Sequence, residues 1–137
     1  MKKLSPVLLV DELEPAIAFY RDVLGFEVKM VMAVEGFAQL ESGAVEVMLE
    51  GREAMAKDFP SLADAPAGGS TVLYIETENV DSLRRQVEGK TKVTIDLRDQ
   101  PYGMREFVLR DPSGNLLTLA SPIPQATAAG AAQEATA

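Results

Sequence analysis

With no histidine and no cysteine in the chain, the residues able to do chemistry are carboxylates, phenols and thioethers. Glu46, Met48 and Glu50 alternate with Val45, Val47 and Leu49, and Tyr74 and Glu76 alternate with Leu73 and Ile75. In a strand, that alternation turns each polar set to the face opposite its apolar partners. Carboxylates gathered on one face repel one another, which favours a cation among them. An aromatic ring alongside adds a π-face, so the pattern suits a cationic, partly aromatic ligand. The plainer alternative is a solvated acidic face with its aromatics packed as core. A carboxylate pair also performs general acid–base work when burial raises one pKa, and Glu50 with Glu76 is the pair offered. Nucleophilic catalysis has no basis: Ser-His-Asp and Cys-His sets need absent residues, and no Ser-x-x-Lys, P-loop or GxGxxG is present.

Composition narrows the classes further. Without cysteine there are no disulfides, thiolate nucleophiles or thiolate-held metals, and without histidine the commonest metal ligand is gone. Net charge is −8, from 21 acids and 13 bases, which disfavours nucleic acid and anionic membranes as partners. No apolar run approaches the roughly 20 residues of a membrane helix. The start, Met-Lys-Lys-Leu-Ser-Pro, lacks the unbroken apolar stretch of a signal peptide, so a cytoplasmic protein is expected.

An internal repeat organises the elements that must hold these residues. Residues 5–13 and 72–80 share one layout, an apolar strand, an acidic turn and then a helix. In the first copy Asp11 is the expected N-cap, with Glu14 completing a capping box. Ile17, Tyr20 and Leu24 form a stripe widened by Ala16, Phe19 and Val23, and Gly25 ends the helix. In the second copy Asn79 caps, Val80, Leu83 and Val87 form the stripe, and Gly89 ends it. Three strands follow each helix, at about 26–32, 37–41 and 44–50, then 91–96, 105–110 and 115–120. Asp111-Pro-Ser-Gly-Asn115 is a turn by composition, and Ser42-Gly43 is its counterpart. The reading is one α+β domain over 1–121, with module one at 1–50, a Pro/Gly/Ala-rich linker at 51–70 and module two at 71–121. An Ala-rich tail, 122–137, follows and is expected to be floppy. Arg105 and Glu106 read as strand residues with cross-strand partners, and Asp111 as a turn residue.

Leu9-Val-Asp-Glu-Leu13 leading to Ala16-Ile-Ala-Phe-Tyr-Arg-Asp-Val-Leu-Gly-Phe26 resembles the opening of the glyoxalase/bleomycin-resistance/dioxygenase (vicinal-oxygen-chelate) superfamily. The segment Gln100 to Asn115 is similar to the matching stretch of bleomycin-resistance proteins. The resemblance covers residues 4–121 and implies two βαβββ modules whose curved sheets enclose a cavity, often completed by a second subunit. Metal-dependent members place ligands at positions that fall here on Ser5, Met48, Val72 and Thr118, which cannot form a divalent-metal set. No metal and no cofactor is therefore expected. The resemblance implies ligand contacts at Phe37, Met48, Glu50, Tyr74, Glu76, Tyr102 and Gly103, and the polar strand faces add Glu46 and Thr118. The function it implies is a metal-free homodimer that sequesters a cationic or aromatic compound, as in antibiotic resistance. Two alternatives stand beside it: an isomerase, lyase or dioxygenase with an atypical site, and an interaction module with a vestigial cavity.

Overall fold

Apolar–polar alternation builds two four-stranded sheets, seen in a computed structural model that describes residues 1–124. Module one runs β1 (Val7–Val10), α1 (Leu13–Ala18), β2 (Glu27–Met32), β3 (Phe37–Ser42) and β4 (Val45–Gly51). Helix α2 (Arg52–Asp58) follows, and module two runs β5 (Val72–Glu76), α3 (Val80–Val87), β6 (Val93–Asp99), β7 (Met104–Arg110) and β8 (Leu116–Pro122). The strand orders are β1-β4-β3-β2 and β5-β8-β7-β6. In each sheet the first strand lies parallel to the last, and the other pairings are antiparallel. The expected α+β repeat is present, and all of its strands form close to their expected ranges.

The face of each sheet that packs the core is the one alternation selects. Leu8, Val10, Leu40, Val47 and Leu49 from module one join Phe107, Leu109, Leu117 and Leu119 from module two in one buried cluster. Ala16, Ile17, Tyr20, Val80 and Val87 cover it from the helices. Asn79 caps α3 as expected, its Oδ1 accepting from the Ser82 backbone N–H at 3.0 Å.

The start of α1 departs from expectation. Glu12, not Asp11, occupies the N-cap, and no side chain caps there. The Asp11 backbone N–H donates to Ser113 Oγ at 2.8 Å, and its Oδ1 accepts from the Arg52 guanidinium at 3.0 Å. Partners from the 111–115 turn and from α2 thus replace the local box. Beyond Ala18 the helix widens into a π-helical turn over Phe19–Val23, with the Phe26 N–H reaching back to the Tyr20 carbonyl at 2.9 Å. Tyr20 is fully buried and donates its hydroxyl to Asp111 Oδ2 at 2.9 Å, joining the modules. Asp111 does serve its turn as well, accepting from the backbone N–H groups of Ser113 and Asn115 at 2.9 Å each.

The linker is also more structured than its Pro, Gly and Ala content suggests. Arg52-Glu-Ala-Met-Ala-Lys favours helix, and Met55 is buried, so α2 forms there with a 3₁₀ turn, Pro60–Leu62, after it. Arg52 donates to the Ala65 carbonyl at 2.8 Å, tying the segment back to α2. Gly68 has φ +82°, and a Cβ there would lie 2.2 Å from the Gly114 carbonyl oxygen. Only glycine lets the linker seat against the 111–115 turn. The expectation for the tail concerns residues that, from 125 on, lie outside those described. No helix among the described residues is long and apolar enough to cross a membrane.

Candidate functional site

The candidate residues divide between the two sheets, on the faces turned away from the core. On module one, Phe37 pairs in register with Glu50, Gln39 with Met48 and Glu41 with Glu46. Met32 lies beside Phe37 from β2. The two glutamates of β4 have opposite surroundings. Glu46 Oε2 accepts from Lys3 Nζ at 2.6 Å and from Gln39 Nε2 at 2.8 Å. Those bonds, with a further one from Ser5, hold its carboxyl at about 2. Glu50 is 8% exposed, and its Oε2 has no hydrogen-bond partner. Burial pushes the Glu50 carboxyl up, and the Asp58 carboxyl beside it pushes further in the same direction. A cleft of about 470 Å³ opens here between α2 and the β2–β3 hairpin.

On module two, Tyr74 pairs with Thr118, and Glu76 with Ala120. Across β8, Ala120 is also the partner of Glu106 on β7, so Glu106 shares the face of Tyr74. Glu106 is 4% exposed, while Tyr74 and Tyr102 are 51% and 60% exposed. Tyr102 donates its hydroxyl to Glu106 Oε2 at 2.7 Å, and Gln100 Nε2 donates to Oε1 at 2.9 Å. The Arg98 guanidinium stands 4.0 Å from Oε1. The bond to Glu106 raises the Tyr102 phenol to about 12, and burial followed by Glu106 raises that of Tyr74. Both phenols therefore remain protonated at neutral pH as donors. A buried carboxylate thus lies among two accessible rings.

Phe37, Met48 and Glu50 come together on one sheet, and Tyr74, Tyr102 and Thr118 on the other. Gly103 sits in the 100–103 turn with φ +88°, its carbonyl accepting from the Ile123 N–H at 2.9 Å. Glu46, Glu50 and Glu76 do not share one surface: the first two lie on β4 and the third on β5 of the other sheet. Glu76 borders a different cleft, of about 660 Å³, beside the start of α3 and the β3–β4 turn. The pair Glu50 and Glu76, considered for acid–base work, is therefore split between sheets, and Asp58 is the carboxyl that meets Glu50. Sequence reasoning missed three residues of these clusters: Glu106, Gln100 and Asp58. Parity with Met104 and Val108, opposite Phe107 and Leu109, would have turned Glu106 to the ligand face. Asp58 carries no such signal, because the Pro, Gly and Ala content of 51–70 predicts a linker there.

Met48, Val72 and Thr118 bring a thioether, a hydrocarbon and a hydroxyl, and the Ser5 hydroxyl is engaged with Glu46. Among the described residues no group of three or more acidic side chains is placed to hold a metal ion. That donor set does not fit a divalent metal.

Paired βαβββ modules define a fold class, and comparison with known proteins places the chain in a family of that fold. The family profile described as the Glyoxalase/Bleomycin resistance protein/Dioxygenase superfamily matches residues 4–119, and the chain belongs to that family. It is 31% identical over 122 residues to a bleomycin resistance protein of Geobacillus stearothermophilus, covering 82% of this chain and 91% of that one. Among solved structures, a glyoxalase/bleomycin resistance protein/dioxygenase from Nocardioides superposes with a TM-score of 0.73 at 19% identity, covering 93% of this chain and 88% of that one. A lactoylglutathione lyase from Agrobacterium tumefaciens gives 0.70 at 22% identity, covering 88% and 93% respectively. At such identities the likeness to these structures concerns the fold.

Proposed function

We propose that the protein sequesters a cationic, partly aromatic small molecule, without a metal and without catalysis. The observation that carries this reading is Glu106, a buried carboxylate beside two exposed phenol rings. A cation seated there meets a carboxylate and π-faces together, each ring contributing about 0.5–1 kcal/mol when exposed and about 2 when desolvated. The likeness to a bleomycin resistance protein supports a drug-like cation as the ligand class. Phenols held protonated at neutral pH supply no base, which favours binding over turnover.

Completion of each cavity by a second copy belongs to the same proposal. Val7, Met30, Met32, Val72 and Tyr74 are all at least 40% exposed on the outward sheet faces. Apolar surface of that kind is what a partner covers. A cytoplasmic setting agrees with the lack of cysteine.

A thermal-shift screen of cationic, neutral and anionic aromatic compounds tests the reading. Cationic compounds should raise the melting temperature by several degrees, and Tyr74→Ala combined with Glu106→Gln should remove the response. Equal stabilisation by anionic compounds, or an unchanged response in the double variant, would overturn it.

A further inference from the structure

Two equivalent junctions join the modules, and only one of them is filled. Ahead of α1, the Asp11 backbone N–H donates to Ser113 Oγ at 2.8 Å, and Asn115 Nδ2 donates to the Leu9 carbonyl at 3.0 Å. Both side chains come from the β7–β8 connection of the other module. Asp11 and Leu9 stand two and four residues before the first residue of α1, and Glu78 and Glu76 hold those places before α3. The β3–β4 connection borders this second junction but is too short to fill it. Ser42 pairs with Val45, so Gly43 and Ala44 alone make the turn, whereas residues 111–115 all lie between the paired Arg110 and Leu116. Neither Gly43 nor Ala44 brings a polar side chain. A cleft of about 660 Å³ is left between that turn and α3. Its walls belong to the core: Leu24, Phe26 and Leu119 are part of the shared buried cluster, and Val45, Ile75 and Leu83 pack against it.

Clefts of roughly 300–1,000 Å³ with apolar walls and a few fixed polar groups suit small molecules. The fixed groups here belong to the main chain. Thr77 donates its N–H to the Ala120 carbonyl at 2.7 Å, so the alternation of a parallel strand turns the Glu76 carbonyl to the free edge of β5. The start of α3 is no anion site, because its Val80 N–H goes to Ser121 Oγ at 2.9 Å and its Ser82 N–H to Asn79 Oδ1 at 3.0 Å. Among the described residues, Glu76 and Glu78 are the charged side chains lining the cleft, and both are exposed. They repel an anion, and water screens what they offer a cation. We propose that the cleft binds an uncharged small molecule with a primary carboxamide head and an apolar body. The carboxamide N–H donates to the Glu76 carbonyl, as Asn115 does to that of Leu9, and its oxygen accepts from the Glu78 N–H, as Ser113 Oγ does from Asp11. The apolar body lies against Phe26, Ile75 and Leu83. This seat is on the core side of the sheets, away from Glu106, and does not depend on the sequestration reading.

The test uses the full ¹⁵N-labelled chain titrated with benzamide, N,N-dimethylbenzamide, benzoate and benzylamine. Benzamide should shift the amides of Ala44, Thr77, Glu78 and Ser82, and benzoate should leave them in place. The dimethyl amide has no N–H to give the Glu76 carbonyl and should bind about fivefold more weakly or worse. Ala44→Trp and Ser82→Trp crowd the cleft from its two walls, the β3–β4 turn and α3. Both positions are exposed, so the variants keep the fold, and each should weaken benzamide about tenfold or more. Equal affinity for the dimethyl amide or for benzylamine, wild-type affinity in either tryptophan variant, or no shift at these amides would overturn the seat. Benzamide shifts confined to Tyr74, Tyr102 and Gly103 would overturn it and leave sequestration standing. Benzamide shifts at the cleft with no cation shifting the outward faces would keep the seat and overturn sequestration.

Discussion

Glu46 and Glu50 stand four residues apart on the same face of β4, yet their carboxyls are driven in opposite directions. Glu46 has Lys3 and Gln39 as donors, whereas Glu50 has a bare oxygen and another acid. Their shared face is readable from alternation. Lys3 is not readable as the partner of Glu46, since 43 residues separate them and only the sheet brings them together. Folding lowers the Glu46 carboxyl from its ordinary 4.5 to about 2, so its contribution to stability is present above about pH 4.5. It is lost as pH falls toward about 2, where the folded state also takes up the proton. Urea midpoints measured from neutral pH down to about pH 2 should show that loss in the wild type and a shallower one in Glu46→Gln.

At the scale of elements, the two helix starts separate local from distant causes. Asn79 caps α3 through a backbone N–H three residues on, and the sequence alone predicts it. Asp11 carries an equally good local signal, but Ser113, 102 residues away, takes its backbone N–H. Asn79→Ala should cost about 1 kcal/mol in urea unfolding, with Asn79→Asp retaining most of the stability. No loss in the alanine variant would mean that packing of Val80 and Val87 alone holds the helix start. Helix α2 shows the converse error: Pro, Gly and Ala suggested linker, while a buried Met55 and the Arg52 contacts made a helix. That helix brings Asp58 to Glu50, so misreading an element removed a residue from the candidate site.

On the scale of the whole molecule, one core serves both modules and leaves two polar faces on separate sheets. The buried Tyr20–Asp111 bond and the bond from the Asp11 backbone N–H to Ser113 Oγ hold the modules in this relation. Exposed Val7, Met30, Met32 and Val72 on those faces are the apolar surface expected to pack against a second copy. Sedimentation velocity at micromolar concentration should therefore report a dimer, with about 1,600 Å² or more buried in total. Val72→Asp should shift the boundary toward monomer. A wild-type monomer under those conditions would remove the proposed second subunit from each cavity.

From the sequence alone, periodicity determined the two βαβββ modules, the inward and outward faces of β4, β5 and β8 and the cap of α3, and the motifs at 9–26 and 100–115 carried the family resemblance. Each of these follows from residues near one another in the chain, where an alternation of two or a stripe of three and four states the local geometry outright. Only the tertiary structure decided that Glu46 is neutralised by Lys3, that Glu50 meets Asp58 and not Glu76, and that Glu106 lies beside Tyr74 and Tyr102. A carboxylate's charge state depends on burial and on donors delivered by other strands, and neither is written in its immediate neighbours. Strand parity says which way a side chain points, and the sheet order then sets what it meets.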